Sequence, residues 1–168
     1  MSIVVVLNGT SSSGKTTIAR AVQELAPRVF LNFSIDTILY TLPRSALDRM
    51  EAGADISDLR YPEIVRAYYA CVRQLLELGH DLIIDNAVTA PYHAEHLMAA
   101  IAGHRTIMVG LDCPVDVLAE RERIRGDRRV GMAALQHPRI HSLLRYDLVI
   151  DTSRVSAQDA AREILRCS

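Results

Sequence analysis

Ile3-Val4-Val5-Val6-Leu7-Asn8-Gly9-Thr10-Ser11-Ser12-Ser13-Gly14-Lys15-Thr16 decides the architecture of this chain. Ile3 to Leu7 is a continuous aliphatic run ended by a polar residue and a glycine, the pattern of a strand buried on both faces of a parallel sheet. Gly9 to Thr16 satisfies G-x-x-x-x-G-K-[ST], and Thr16 to Leu25 reads as a helix stopped by Pro27. Strand, glycine-bounded loop and helix in that order predict an anion nest. The glycines let successive N–H groups turn inward, and the helix N-terminus adds its dipole. Lys15 is expected to reach the β- and γ-phosphates of ATP, and the Thr16 hydroxyl to ligate Mg²⁺. The expected nucleotide-binding set is Gly9, Thr10, Ser11, Ser12, Ser13, Gly14, Lys15, Thr16 and Thr17. A glycine-rich turn that merely precedes a helix is the bland alternative, and the match to the whole pattern in its proper context weighs against it.

Composition sharpens the motif. Of 19 basic residues 18 are arginines, and the single lysine is Lys15. Codon drift accounts for the arginines, but the retained ammonium is the one that a tight phosphate loop needs, being compact where a guanidinium is broad. With 168 residues, 49% of them apolar, the chain reads as one domain spanning residues 1–168 with a self-sufficient core. A net charge of −1 leaves no electrostatic footprint for nucleic acid. Cys71, Cys113 and Cys167 form no metal pattern, and buried thiols in a reducing compartment are expected. The apolar N-terminus is too short for a membrane span or a signal peptide, so a cytoplasmic location is expected.

Working outward from the loop, Val29–Phe33, His80–Asp85, Arg105–Leu111 and Leu148–Ile150 read as further strands. Helices are predicted after Ser34, over Pro62–Leu78, Pro91–Ala102, Pro114–Arg125, Met132–Gln136 and Ala157–Leu165. Ser45–Arg60 is polar and weakly patterned. Five apolar strands separated by helices predict a parallel α/β sandwich.

Ligands in such sheets bind beyond the carboxyl ends of the strands, where three acidic residues stand. Asp36 is the candidate general base for an acceptor hydroxyl, with a helix N-cap as its alternative role. Asp85 closes an aliphatic strand and is expected to hold the water shell of Mg²⁺. Asp112 is expected to cap the following helix. Glu120 to Arg129 holds five arginines. Arg121 and Arg125 share a helical face and Arg128 follows Gly126, so the segment reads as a lid closing guanidiniums over a triphosphate. Its alternative is a solvated helix in which Glu122 pairs with arginines. His93 and His96 are expected at the surface or in a cleft, and His137 and His141 at its entrance.

The combination resembles the chloramphenicol phosphotransferase family of small P-loop kinases. The likeness is carried by Leu7-Asn8-Gly9 with Ser11, Ser12 and Gly14-Lys15, by Phe33-Ser34-Ile35-Asp36 before Leu42-Pro43, and by Ile83-Ile84-Asp85. Arg125-Gly126-Asp127-Arg128 with Gly131-Met132-Ala133-Ala134 and Gln136, and Tyr146-Asp147 before Asp151-Thr152, complete it. The resemblance implies a nucleoside-monophosphate-kinase-like three-layer fold with a five-stranded parallel sheet and ATP-dependent phosphorylation of a primary hydroxyl of chloramphenicol. It implies Asp36 as catalytic base, Lys15 and Thr16 at phosphate and magnesium, and Arg121, Arg125 and Arg128 as lid arginines within about residues 121–136. Thr152 and Ser153 would accommodate the adenine, and residues 37–79 would form the acceptor side. The chain departs from the family at Ser45–Arg60, which looks shorter, and at Asn86, where a second acid is expected. Both departures fall on the acceptor side. A kinase of another hydroxylated metabolite or a nucleotide is the alternative among enzymes, and a nucleotide-binding switch or ATPase the alternative outside the kinases. Sequence gives no oligomeric state.

Overall fold

β1 (Ile3–Gly9) is the centre of the sheet, and its alternation builds two cores at once. Val4 and Val6 pack with one buried cluster, Val5 and Leu7 with the other, and all four are at most 1% exposed. Burying an aliphatic side chain of this size contributes about 1.5–3 kcal/mol, so this strand anchors both faces. The described residues of this computed structural model are 1–125 and 131–167, with Arg125 described by its backbone alone.

The other strands are β2 (Phe30–Ser34), β3 (Asp81–Asn86), β4 (Arg105–Asp112) and β5 (Leu148–Asp151), in the order β2-β3-β1-β4-β5. All pairings are parallel, with Val5 opposite both Ile83 and Ile107. The chain visits β2 and β3 on one side of β1 and β4 and β5 on the other. The topological switch therefore falls at the end of β1, where Gly9 opens the loop.

Helices cover both faces, giving the three-layer parallel α/β fold that the sequence predicts. α1 (Lys15–Leu25) buries Ile18, Ala19 and Val22 against the Val5 and Leu7 face, and α8 (Ala157–Cys167) buries Ala160, Ala161 and Ile164 beside it. α4 (Tyr61–Glu77) and α5 (Pro91–Ile101) cover the opposite face. In α4 the buried Val65, Tyr68, Tyr69, Val72 and Leu76 recur at helical spacing, and Gly79 follows its end at φ 89°. α2 (Ile35–Leu39), α6 (Val115–Arg125) and α7 (Met132–Gln136) fall where they were predicted.

Three expectations are corrected. Ser45–Arg60, for which no element was predicted, holds α3 (Arg44–Ala52) and a 3₁₀ turn (Ser57–Leu59). α3 buries only Ala46 and is laced by exposed ion pairs such as Arg44 with Asp48, so it has almost no apolar stripe to read. Cys71 and Cys167 are exposed, and only Cys113 is buried. Asp112 does not cap α6. Its Oδ1 accepts from the amide of the next residue, Cys113, while Pro114 supplies the carbonyl that begins the helix by accepting from Leu118. No helix among the described residues is long and apolar enough to cross a membrane.

Candidate active site

The loop after β1 closes under two demands that only glycine meets. A Cβ on Gly9 would lie 2.6 Å from Ser13 Oγ and 2.8 Å from the Leu111 carbonyl oxygen, and Gly14 sits at φ 91° as the N-cap of α1. No side chain caps α1, so the amides of its first turn are left for an anion. The hydroxyl oxygens of Ser12 and Ser13 are buried without a hydrogen-bond partner among the described residues. A built cradle with polar atoms awaiting partners fits a nucleotide phosphate. Lys15 Nζ donates to the carbonyls of Gly9 at 3.0 Å and Thr10 at 2.7 Å, which holds the ammonium across the loop.

Two hollows meet at this loop. One, of about 360 Å³, is lined by Ser12, Gly14, Lys15, Thr16 and Thr17 and reaches Arg121 and Thr152. The other, of about 350 Å³, is lined by Ser11, Ser12, Lys15 and Thr16 and opens toward Asp36, Tyr61 and Tyr92. Ser12, Lys15 and Thr16 form the shared wall.

At the end of β3, buried Asp85 accepts through Oδ2 from the Thr16 hydroxyl at 2.8 Å. A hydroxyl and a carboxylate in contact beside a phosphate cradle form a hard oxygen donor set suited to Mg²⁺. Among the described residues there is no group of three or more acidic, histidine or cysteine side chains that would hold a metal by itself.

Asp36 occupies the second position of α2. The cap of that helix is Ser34, whose Oγ accepts from the Asp36 amide at 3.3 Å. The capping role weighed for Asp36 therefore belongs to Ser34, and Asp36 lines the second hollow with Lys15 and Asp85. Facing it, Tyr61 has its phenol pushed up to about 12, chiefly by burial and further by Tyr92 and the Asp36 carboxylate. Tyr61 thus stays a neutral hydroxyl in any ordinary buffer.

Arg121 lines the first hollow. Its guanidinium donates to the Thr152 carbonyl at 2.7 Å, to Thr152 Oγ1 at 3.2 Å and to the Ser12 carbonyl at 3.4 Å. Of the other arginines expected in a lid, the Arg125 side chain and the whole of Arg128 lie outside the described residues. Glu122 is not solvated. It is 0% exposed, and its two oxygens accept from the amides of Gly131 and Ala133, each at 2.8 Å.

Two structural roles, those of Asn8 and Asn86, escaped sequence reasoning. Asn8 is fully buried; Nδ2 donates to the Ile140 carbonyl at 2.7 Å and to the Tyr146 hydroxyl at 2.6 Å, and Oδ1 accepts from the Val88 amide at 2.8 Å. An asparagine in an aliphatic strand was the available signal. Asn86, the departure from an expected acid, is structural: Nδ2 donates to Tyr69 Oη at 2.8 Å and Oδ1 accepts from the Ala87 amide at 2.8 Å. His93 is 3% exposed and lines the second hollow, so it is a cleft residue. His141 instead contacts the Tyr146 hydroxyl at 3.0 Å, and neither His137 nor His141 lines either hollow.

The family model of the chloramphenicol phosphotransferase-like proteins matches residues 2–167. The chain belongs to that family. Membership makes it, in coarse outline, an enzyme that transfers phosphate. A protein of Mycobacterium tuberculosis H37Rv named "Putative O-phosphotransferase" is 26% identical over 179 residues, covering 96% of this chain and 80% of that one. Among solved structures, a sugar kinase of Janibacter sp. HTCC2649 aligns over 99% of this chain and 91% of its own, with TM-score 0.68 and 21% identity. The APS kinase of Mycobacterium tuberculosis, solved with AMPPNP and APS, covers 99% and 96%, with TM-score 0.70 and 18% identity. At these identities the likeness to the structures is one of fold. It places this family member among the P-loop kinase folds.

Proposed function

We propose that the chain is an ATP-dependent O-phosphotransferase that phosphorylates a hydroxyl of a small molecule, with chloramphenicol the first acceptor to test. The observation that carries this reading is the meeting of two hollows at Ser12, Lys15 and Thr16 with Asp36 in the second. An ATPase needs no second hollow with a carboxylate in it. The nucleotide would lie on Gly9 to Thr17 with its base toward Thr152 and Arg121. Thr16 and Asp85 would hold Mg²⁺, whose charge offsets that of the phosphates. Asp36 orients the acceptor hydroxyl and receives its proton. The acceptor oxygen bonds to the γ-phosphorus, the bond to the β–γ bridging oxygen breaks, and ADP leaves with that electron pair. Arg125 and Arg128 are the further guanidiniums proposed to cover the phosphates.

ADP release measured against a panel of hydroxylated compounds tests the reading. Chloramphenicol yielding a phosphorylated product supports the antibiotic as acceptor, and another alcohol doing so moves the activity to that compound. ATP hydrolysis that no alcohol stimulates defeats the kinase. Asp36→Asn is expected to bind nucleotide as before while transfer falls about 10²–10⁴-fold.

A further inference from the structure

Gln136 ends α7, and its side chain reaches the phosphate loop: the Ser11 amide donates to Gln136 Oε1 at 2.7 Å. A backbone N–H only donates, so the oxygen of the carboxamide must face the loop and its Nε2 must be the other end. Among the described residues no hydrogen bond engages Nε2. Gln136 is half-buried and lines the second hollow together with Ser11, Ser12, Lys15 and Asp36. A donor pair with no described protein partner therefore borders the hollow between the loop and the candidate base.

We propose that Gln136 is a further catalytic residue, donating from Nε2 to an oxygen of the phosphoryl group in transit. The inference rests on the kinase reading above, in which the γ-phosphorus passes from the bridging oxygen to the acceptor oxygen while the acceptor proton goes to Asp36. Charge spreads over the equatorial oxygens of that group during the step, so a donor already oriented there stabilises the transition state more than the bound nucleotide. The Ser11 amide sets that orientation before nucleotide arrives. The competing role for Gln136 is an anchor of α7 on the loop, which would act on stability alone.

ADP with magnesium and aluminium fluoride mimics the group in transit and needs no acceptor of known identity. The wild-type chain is expected to bind ADP more tightly when aluminium fluoride is added. Gln136→Met, similar in length and without donors, is expected to keep its ADP affinity within about twofold and to lose about tenfold or more of the fluoride-dependent gain. Gln136→Glu retains an oxygen for the Ser11 amide and is expected to lose the gain as well, which separates the donor from the anchor. Equal gains in all three proteins, or no gain in the wild type, overturn the role. A wild-type chain that fails to bind ADP overturns the kinase reading itself.

Discussion

The Thr16 hydroxyl donates to Asp85 Oδ2 at 2.8 Å, joining the first turn of α1 to the end of β3 across 69 residues of sequence. Asp85→Asn keeps an oxygen for that hydrogen bond and removes the charge. Folding should survive, with an unchanged melting temperature. Phosphoryl transfer is expected to fall about 10²-fold or more at saturating nucleotide. A magnesium titration checks it, and wild-type rates in the variant would remove Asp85 from the metal site.

Lys15 bridges the carbonyls of Gly9 and Thr10, a span matched to one ammonium. An arginine keeps the charge but brings a planar fork on a differently shaped head. Lys15→Arg is expected to lose about 10²-fold or more in transfer. Steady-state kinetics beside circular dichroism would separate this from misfolding.

Glu122 carries a structural burden rather than a surface charge. Glu122→Ala would strand the amides of Gly131 and Ala133, at a cost of about 2–4 kcal/mol. The melting temperature should fall by roughly 5–15 °C, whereas Glu120→Ala, in an exposed pair with Arg123, should leave it nearly unchanged. Thermal denaturation of the two variants side by side decides.

Burial holds the His93 imidazole below its ordinary 6.5; charge on His96 acts the same way and hydrogen bonding with the Ala87 backbone opposes it. In the window below about 6.5 the unfolded chain binds more protons at this ring than the folded one does. The stability contributed is present above that value and is lost as pH falls toward the folded pKa. Urea unfolding at about pH 7.5 and about pH 5.5 should show a smaller acid loss in His93→Asn than in the wild type. Equal losses would mean that the ring titrates alike in both states.

Long elements with one apolar stripe were legible from the chain. The aliphatic run of β1 and the spacing of Val65, Tyr68, Val72 and Leu76 in α4 specify burial by themselves. α3 was not legible, because a helix that buries one alanine and exposes its charges carries no periodic signal. Asp112 was misread for another reason: a carboxylate just before Cys113-Pro114 looks like a helix cap until the fold gives its oxygen to the Cys113 amide.

By itself the sequence determined the loop, since Gly9, Gly14, Lys15 and Thr16 act through local backbone geometry and lie within eight residues. It also determined the layered sheet, because hydrophobic periodicity is local. Tertiary structure decided that Ser34 is the cap of α2, leaving Asp36 on the wall of a hollow shared with Lys15. It decided that Asn86 supports Tyr69, and that Gln136 meets Ser11. Those pairings depend on where strand ends converge at the topological switch. No residue type announces convergence, because the distance between two side chains far apart in sequence is set by the packing of everything between them.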